Sequence, residues 1–299
     1  MSNVTSSATP APRYVNRSDE HRAPAIWHVV ALMVTALYAV PMAYTVMVAL
    51  TPDGEWIGSW PSHPEFGNFV DAFLSANFLR FFANSVIVAV SCTIIQVLLS
   101  CSAGYALAML PVTAKNLMML LLIALLVVPP EVSIVPLFVM VSHVPLAGGN
   151  DIFGNGGQGL LNTLPGIMVP HIVSALAIFL MRQFYAGLPA ELGDAARVDG
   201  ASEFRIFAEI YTPLVKPAVA VVGVFAFQAA WNDFIWPLVV TYSNDMRTLQ
   251  LGLTVFFQEN STQWNLLMAA VLGISVPIVV MFLMIQRYFQ EGALAGALK

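Results

Sequence analysis

Charge is what this chain has least of. Of its 299 residues only 10% are Asp, Glu, Lys or Arg, while 58% are apolar, and mean hydropathy is +0.77. A soluble domain carries about 25% charged residues, so there is too little polar side chain here to coat a globular surface in water. Lipid must be the solvent for most of the chain. Its twelve Lys and Arg, against seventeen Asp and Glu, form no basic run, and no nucleic-acid partner is expected.

Cysteine is nearly absent as well. Cys92 and Cys101 share one apolar stretch. On a helix this spacing turns the chain by roughly 900° and sets the thiols about 13 Å apart on opposite faces. A disulfide reaches only about 7 Å between Cα atoms, so the two are core residues. Catalytic signatures are missing too: there is no G-x-x-x-x-G-K-[ST], no H-E-x-x-H, no G-x-S-x-G and no Cys/His metal spacing. The string Gly154-Asn155-Gly156-Gly157-Gln158-Gly159 matches G-x-G-x-x-G. It joins two apolar runs rather than a strand to a helix, so 148–159 reads as a flexible glycine-rich loop. The chain is expected to be no enzyme and to hold no metal or cofactor of its own.

What is abundant is long apolar sequence. A bilayer core about 30 Å thick needs roughly 20 residues per helix. Six segments qualify: Ile26–Leu50, Phe81–Leu110, Leu117–Val141, Leu160–Met181, Leu214–Val240 and Leu266–Phe289. Arg13, Arg17, Arg22, Lys115, Arg182, Arg197, Arg205, Lys216, Arg287 and Lys299 fall on one side of the alternating loops, and only Arg80 and Arg247 on the other. Positive charge marks the cytoplasmic side. The expected fold is all-α: a polytopic cell-membrane protein with six transmembrane helices and both termini cytoplasmic. Residues 1–25, with Pro10, Pro12 and Pro24, read as a disordered cytoplasmic tail, 26–289 as the membrane domain and 290–299 as a second tail. Outside lie 51–80, 142–159 and 241–265.

Several spans contain breakers: Pro41 in the first, Pro129-Pro130 and Pro136 in the third, Pro165 and Pro170 in the fourth. Proline removes a helix hydrogen bond and kinks the chain. Broken backbone is tolerated at membrane depth only against protein or a wet cavity, which suits a transporter. Glu131 in the third span and Trp231-Asn232-Asp233 in the fifth put polar groups at that depth, where a carboxylate costs roughly 2.5–3.5 kcal/mol. These groups either satisfy one another and the freed backbone or line a solute path, with Asn and Trp suited to a sugar ring. His171, beside Pro170, reads as a packing residue.

The inside loop 182–213 is longer than a connector needs to be. Pro189 suits a helix start, and Glu191 and Asp194 complement the helix dipole. Gly200 supplies a left-handed stop, Ser202 caps a second short helix to Ile210, and Pro213 ends it. This predicts a cytoplasmic hairpin over 189–210, between the fourth and fifth spans, with small Ala195 and Ala196 suited to close docking.

Asp194-Ala195-Ala196, Gly200, Ile210 and Thr212-Pro213 together resemble the E-A-A motif of ATP-binding-cassette importer permeases, with Asp for Glu and Thr for Leu. Phe81-Phe82-Ala83-Asn84-Ser85, Pro129-Pro130-Glu131, Ala230-Trp231-Asn232-Asp233-Phe234, Gln286-Arg287-Tyr288-Phe289 and the ending Gly292–Lys299 are similar to MalG-like permeases of carbohydrate importers. The resemblance covers the chain from about residue 26. It implies translocation of a sugar or related polyhydroxylated solute delivered by an external solute-binding protein. It also implies a second homologous permease and two cytoplasmic ATP-binding subunits that hold ATP and Mg. The hairpin residues Glu191, Asp194, Ala195, Ala196 and Gly200 would couple to an ATPase subunit, and 241–265, with Asn260, Gln263 and Trp264, would reach toward the binding protein. Two rivals stand beside it. One is a proton-coupled secondary transporter using Glu131 and Asp233; the other is an importer of a phosphorylated polyol, amino acid or peptide.

Overall fold

The computed structural model describes residues 25–74, 77–257 and 262–297, the stretch 287–297 as backbone alone. Of the expected tail at 1–25, residues 1–24 lie outside the described residues, as do Asn260 and Lys299, and Ala25 begins the first helix. Two compact units divide between Thr45 and Val46. The division falls within α1 (Ala25–Ala49), which runs through Pro41; its part in the first unit carries exposed apolar side chains from Ile26 to Tyr44. That is the surface of a lipid-facing span.

The second unit is built around α3. After α2 (Gly67–Leu74), the 32-residue α3 (Phe78–Met109) spans about 48 Å. The third expected span, 117–141, is not one rod. α4 (Lys115–Val127) stops at Pro129-Pro130; a 3-10 turn over Pro130–Ser133 follows, and α5 (Ile134–Ser142) leaves at 98°. Pro130 forces Pro129 into extended backbone (ψ 132°), whereas Pro136 sits in the first turn of α5, where no N–H is needed. The fourth span is bent by 48° between Leu164–His171, which begins with α6 (Leu164–Met168), and α7 (Ala175–Ala186). Thr163 caps α6 and Ser174 caps α7, each accepting a backbone N–H.

The hairpin follows as α8 (Glu191–Val198), α9 (Glu203–Arg205), a π-helical turn over Ile206–Tyr211, and α10 (Thr212–Leu214). Pro213 does not end this second arm. The π turn lets Thr212 N–H reach back to Phe207 O, and the proline, which has no N–H to place, is carried to Leu214. The chain then turns by 85° into α11 (Lys216–Trp231). The expected fifth span continues across a break at 232–234 into α12 (Ile235–Val240). α13 (Leu249–Gly252) and α14 (Trp264–Ala297) complete the order.

Among the described residues, three helices are long and apolar enough to cross a membrane unbroken: Ala25–Ala49, Phe78–Met109 and Trp264–Gln286. The number rises to six if each bent pair counts as one span. The third such pair joins Glu203–Leu214 to Lys216–Trp231. Because the first arm carries Glu203, Arg205 and Glu209, it belongs to the hairpin rather than to the bilayer.

α3 packs along both α7 and α11. Gly104 allows the α7 contact, since a Cβ there would lie 2.6 Å from Met181 Cβ and 2.8 Å from Arg182 N. Small residues serve this purpose between membrane helices, where packing rather than water exclusion holds helices together. Near the start of α3, Phe78, Phe81, Trp231 and Phe256 form one core; near its end, Tyr105, Tyr185 and Tyr211 form another.

The loops expected on the outside are also built. The glycine-rich loop, expected to be flexible, is wound tightly on itself. Asn150 Nδ2 donates to Ser142 O and Val144 O, and Asn150 Oδ1 accepts Gly157 N–H. A Cβ on Gly154 would lie 2.1 Å from His143 O, so glycine serves close backbone approach there. Much of 241–257 folds back onto α3: Asn84 Nδ2 donates to Asp245 O and Arg247 O, Ser85 Oγ accepts Leu249 N–H, and Phe256 is buried.

Candidate functional site

The helix breaks meet at one place. Between α3, the 98° bend, the start of α7 and the α11–α12 break lies a cavity of about 820 Å3. Its polar wall is Gln96, Glu131, Ser133, His171, Ser174, Gln228, Asn232 and Asp233; Phe225, Trp236 and aliphatic side chains make the rest. Three of the four expected path residues, Glu131, Asn232 and Asp233, therefore share one wall.

Trp231 does not. It is 1% exposed, stacks on Phe227 at 5.3 Å, meets Phe82 edge-on, and donates from Nε1 to Ile274 O at 3.2 Å. The helix ends at Trp231, so its side chain keeps the α11 phase and points into the core. Trp236, in the next helix, is the tryptophan on the cavity wall, with its Nε1–H donated to Gly166 O.

Glu131 sits in the 3-10 turn at the bend, and not within a continuous span as its sequence position implied. Asp233 is partnered: His171 Nε2 lies 2.9 Å from its Oδ2, both side chains under 20% exposed, while Trp236 N–H donates to Oδ1 at 3.2 Å. Its carboxylate thus ties the two helix breaks together and takes one N–H in the first turn of α12. His171 has a specific partner, beyond the packing role expected of it. Asn232 Oδ1 accepts from Gln250 Nε2 at 3.3 Å. Gln96 and Gln228 were missed from sequence; an amide inside an apolar run was the available signal.

The hairpin is the second site. α8 closes with both bonds of a Schellman motif: Ala201 N–H donates to Ala196 O and Gly200 N–H to Arg197 O. Gly200 has φ +80°. Ser202 caps the second arm by accepting Arg205 N–H. Arg197 clasps Asp194 Oδ1 at 2.7 Å and Glu203 Oε1 at 2.6 Å, and Tyr105 donates to Glu203 Oε2. The guanidinium holds the Glu203 carboxyl below the usual glutamate range.

The two alanines part company. Ala196 is buried against the tyrosine core, and Ala195 faces out, because adjacent helix positions are about 100° apart. Only Ala195 is free to dock. The outward face also carries Leu192, Val198 (88% exposed) and Phe204 (77% exposed), with Glu191 at its edge. Tyr211 anchors the inner side: its hydroxyl accepts Gly193 N–H and faces Pro189 O at 3.1 Å. The expected loop contact residues Gln263 and Trp264 are described at the start of α14, the latter 44% exposed.

A sequence model of binding-protein-dependent transport system inner membrane components matches residues 96–294. The chain is 35% identical over 240 residues to the arabinooligosaccharides transport system permease protein AraQ of Halalkalibacterium halodurans, covering 80% of this chain and 81% of that one. It is 30% identical over 277 residues to the diacetylchitobiose uptake system permease protein NgcG of Streptomyces coelicolor, covering 90% and 87%. Among solved structures it is similar to a bacterial ABC transporter involved in the import of the acidic polysaccharide alginate. The TM-score is 0.74 over 93% of this chain and 100% of that chain, and at 21% identity the likeness is one of fold.

Proposed function

The chain belongs to the inner membrane components of binding-protein-dependent transport systems, and on that premise we propose that it passes a sugar or related polyhydroxylated solute through the cavity at its helix breaks. It is a permease subunit of an ATP-binding-cassette importer. The observation that carries the sugar reading is the cavity wall, where the amides of Gln96, Gln228 and Asn232 and the Glu131 carboxylate stand beside Trp236. Amides donate and accept, and a carboxylate accepts, so the set can follow a ring of hydroxyls.

In this proposal the chain has six spans, with both termini cytoplasmic, and binds no cofactor. A second homologous permease completes the cavity, an external binding protein delivers the solute, and two cytoplasmic subunits bind ATP and Mg. One of these receives the face formed by Leu192, Ala195, Val198 and Phe204. Motion of the hairpin moves α11 and alternates the cavity between outside and inside.

The test is uptake by vesicles containing the whole importer. Uptake should stop on ATP depletion and survive collapse of the proton gradient. Glu131→Gln should keep assembly and change uptake rate or affinity. Uptake that follows the proton gradient instead would support the secondary-transporter reading.

A further inference from the structure

We infer that this chain's side of the cavity excludes anions, so that the solutes it passes are uncharged or amine-bearing glycosides and not uronates or sugar phosphates. The inference rests on the cavity being the solute path. Two carboxylates, Glu131 and Asp233, line it, and among the described residues no Lys or Arg does. Its single imidazole, His171, is committed to Asp233 at 2.9 Å.

Helix N-termini are the other common anion sites in proteins, and at two that open on this cavity a side chain already takes an N–H. Ser174 Oγ accepts Ala177 N–H at the start of α7, and Asp233 Oδ1 accepts Trp236 N–H at the start of α12. Recognition of a carboxylate or phosphate draws chiefly on Arg and Lys, and among the described residues this wall offers neither. An entering anion meets the Glu131 carboxylate across largely apolar walls, which screen a charge poorly. A hydroxyl or an ammonium meets the same group as a hydrogen-bond acceptor. On this inference a phosphorylated polyol is not a solute of this path.

The test uses the assembled importer in nanodiscs, with Cys92 and Cys101 replaced by alanine and a reporter thiol at Ser133→Cys. The probes are two thiol reagents of similar size: cationic trimethylammonium-ethyl methanethiosulfonate and anionic sulfonatoethyl methanethiosulfonate. Their rate ratio is normalised to that on free mercaptoethanol. The expected ratio favours the cation by about tenfold or more. It should fall toward unity in Glu131→Gln, and in the parent when salt rises from about 0.1 M to 1 M, shrinking the screening length from about 10 Å to 3 Å. The salt arm needs no change at Glu131 and stands if that variant fails to assemble. A ratio near unity, or one that neither change moves, overturns the charge selection and leaves the transport reading intact. A thiol unreactive to both reagents overturns both, because the cavity would then be closed to solutes.

Discussion

Replacing Gly200 separates backbone strain from bulk, because the structure isolates the two. With φ at +80°, a Cβ built there meets nothing within 4 Å, so the chain itself gives size no role. The whole cost lies in the left-handed conformation, about 1–2 kcal/mol for an ordinary L-residue. Asn enters this region readily and should cost much less, while β-branched Val should cost most. The local reporter is amide exchange over 191–211, where the Schellman bonds of Gly200 and Ala201 define closure. Since 1.4 kcal/mol is tenfold, Gly200→Ala should speed exchange roughly 5- to 30-fold. Gly200→Asn should stay within a few-fold of the parent, and Gly200→Val should exceed Ala. ATPase association and solute uptake, measured in the same membranes, should follow that order. If Asn is as damaging as Val, the volume of the side chain against a partner is decisive and the strain argument fails.

Gly193→Ala should also loosen the hairpin, because its Cβ would sit 2.9 Å from the Tyr211 hydroxyl and 3.2 Å from the ring. Overpacking of this kind costs about 1–3 kcal/mol, and adding Tyr211→Phe should give less than the sum of the two losses in thermal unfolding. For pH, Glu203 is held below its usual range by Arg197. Its contribution is therefore complete above the unfolded glutamate value of about 4.3 and is lost as pH falls through the lowered folded value. Acid should lower the protection of the hairpin amides relative to their intrinsic exchange rate in the parent, and a Glu203→Gln chain should lack that step. Trp231→Phe should lower thermal stability through the lost bond to Ile274 O and the void it leaves, with the affinity for solute unchanged. A shift in affinity as large as that of Asn232→Ala would put Trp231 back on the solute path.

The hairpin was readable because its signals are local. A proline, two acids, a glycine and a serine cap each act within a turn or two, and the structure has the left-handed Gly200 and the Ser202 cap where they were expected. The apolar helices were readable from hydropathy, but not their bends. Proline announces a break, yet whether Pro129-Pro130 gives a kink or a 98° turn depends on what α5 packs against. The tryptophans show the harder limit. Helical phase assigns a face only while the helix lasts, and it ends at Trp231. Beyond the break α12 starts a new phase, and Trp236 takes the cavity while Trp231 takes the core. The exposed apolar face of the hairpin hid for a different reason: Val198 and Phe204 look like core in a sequence this apolar.

The 85° turn at Val215 joins the hairpin's second arm directly to α11. With Val215 held at 3% exposure in the tyrosine core, the joint is a bell crank with a buried fulcrum. Its input arm, Glu203–Leu214, is about 18 Å long and its output arm, Lys216–Trp231, about 24 Å. A rocking of only 5° would sweep the far end of α11 through about 2 Å. Gln228 and Asn232 lie at that end, so in the proposed coupling a small push on the hairpin would arrive at the cavity wall amplified by about a third and turned through a right angle.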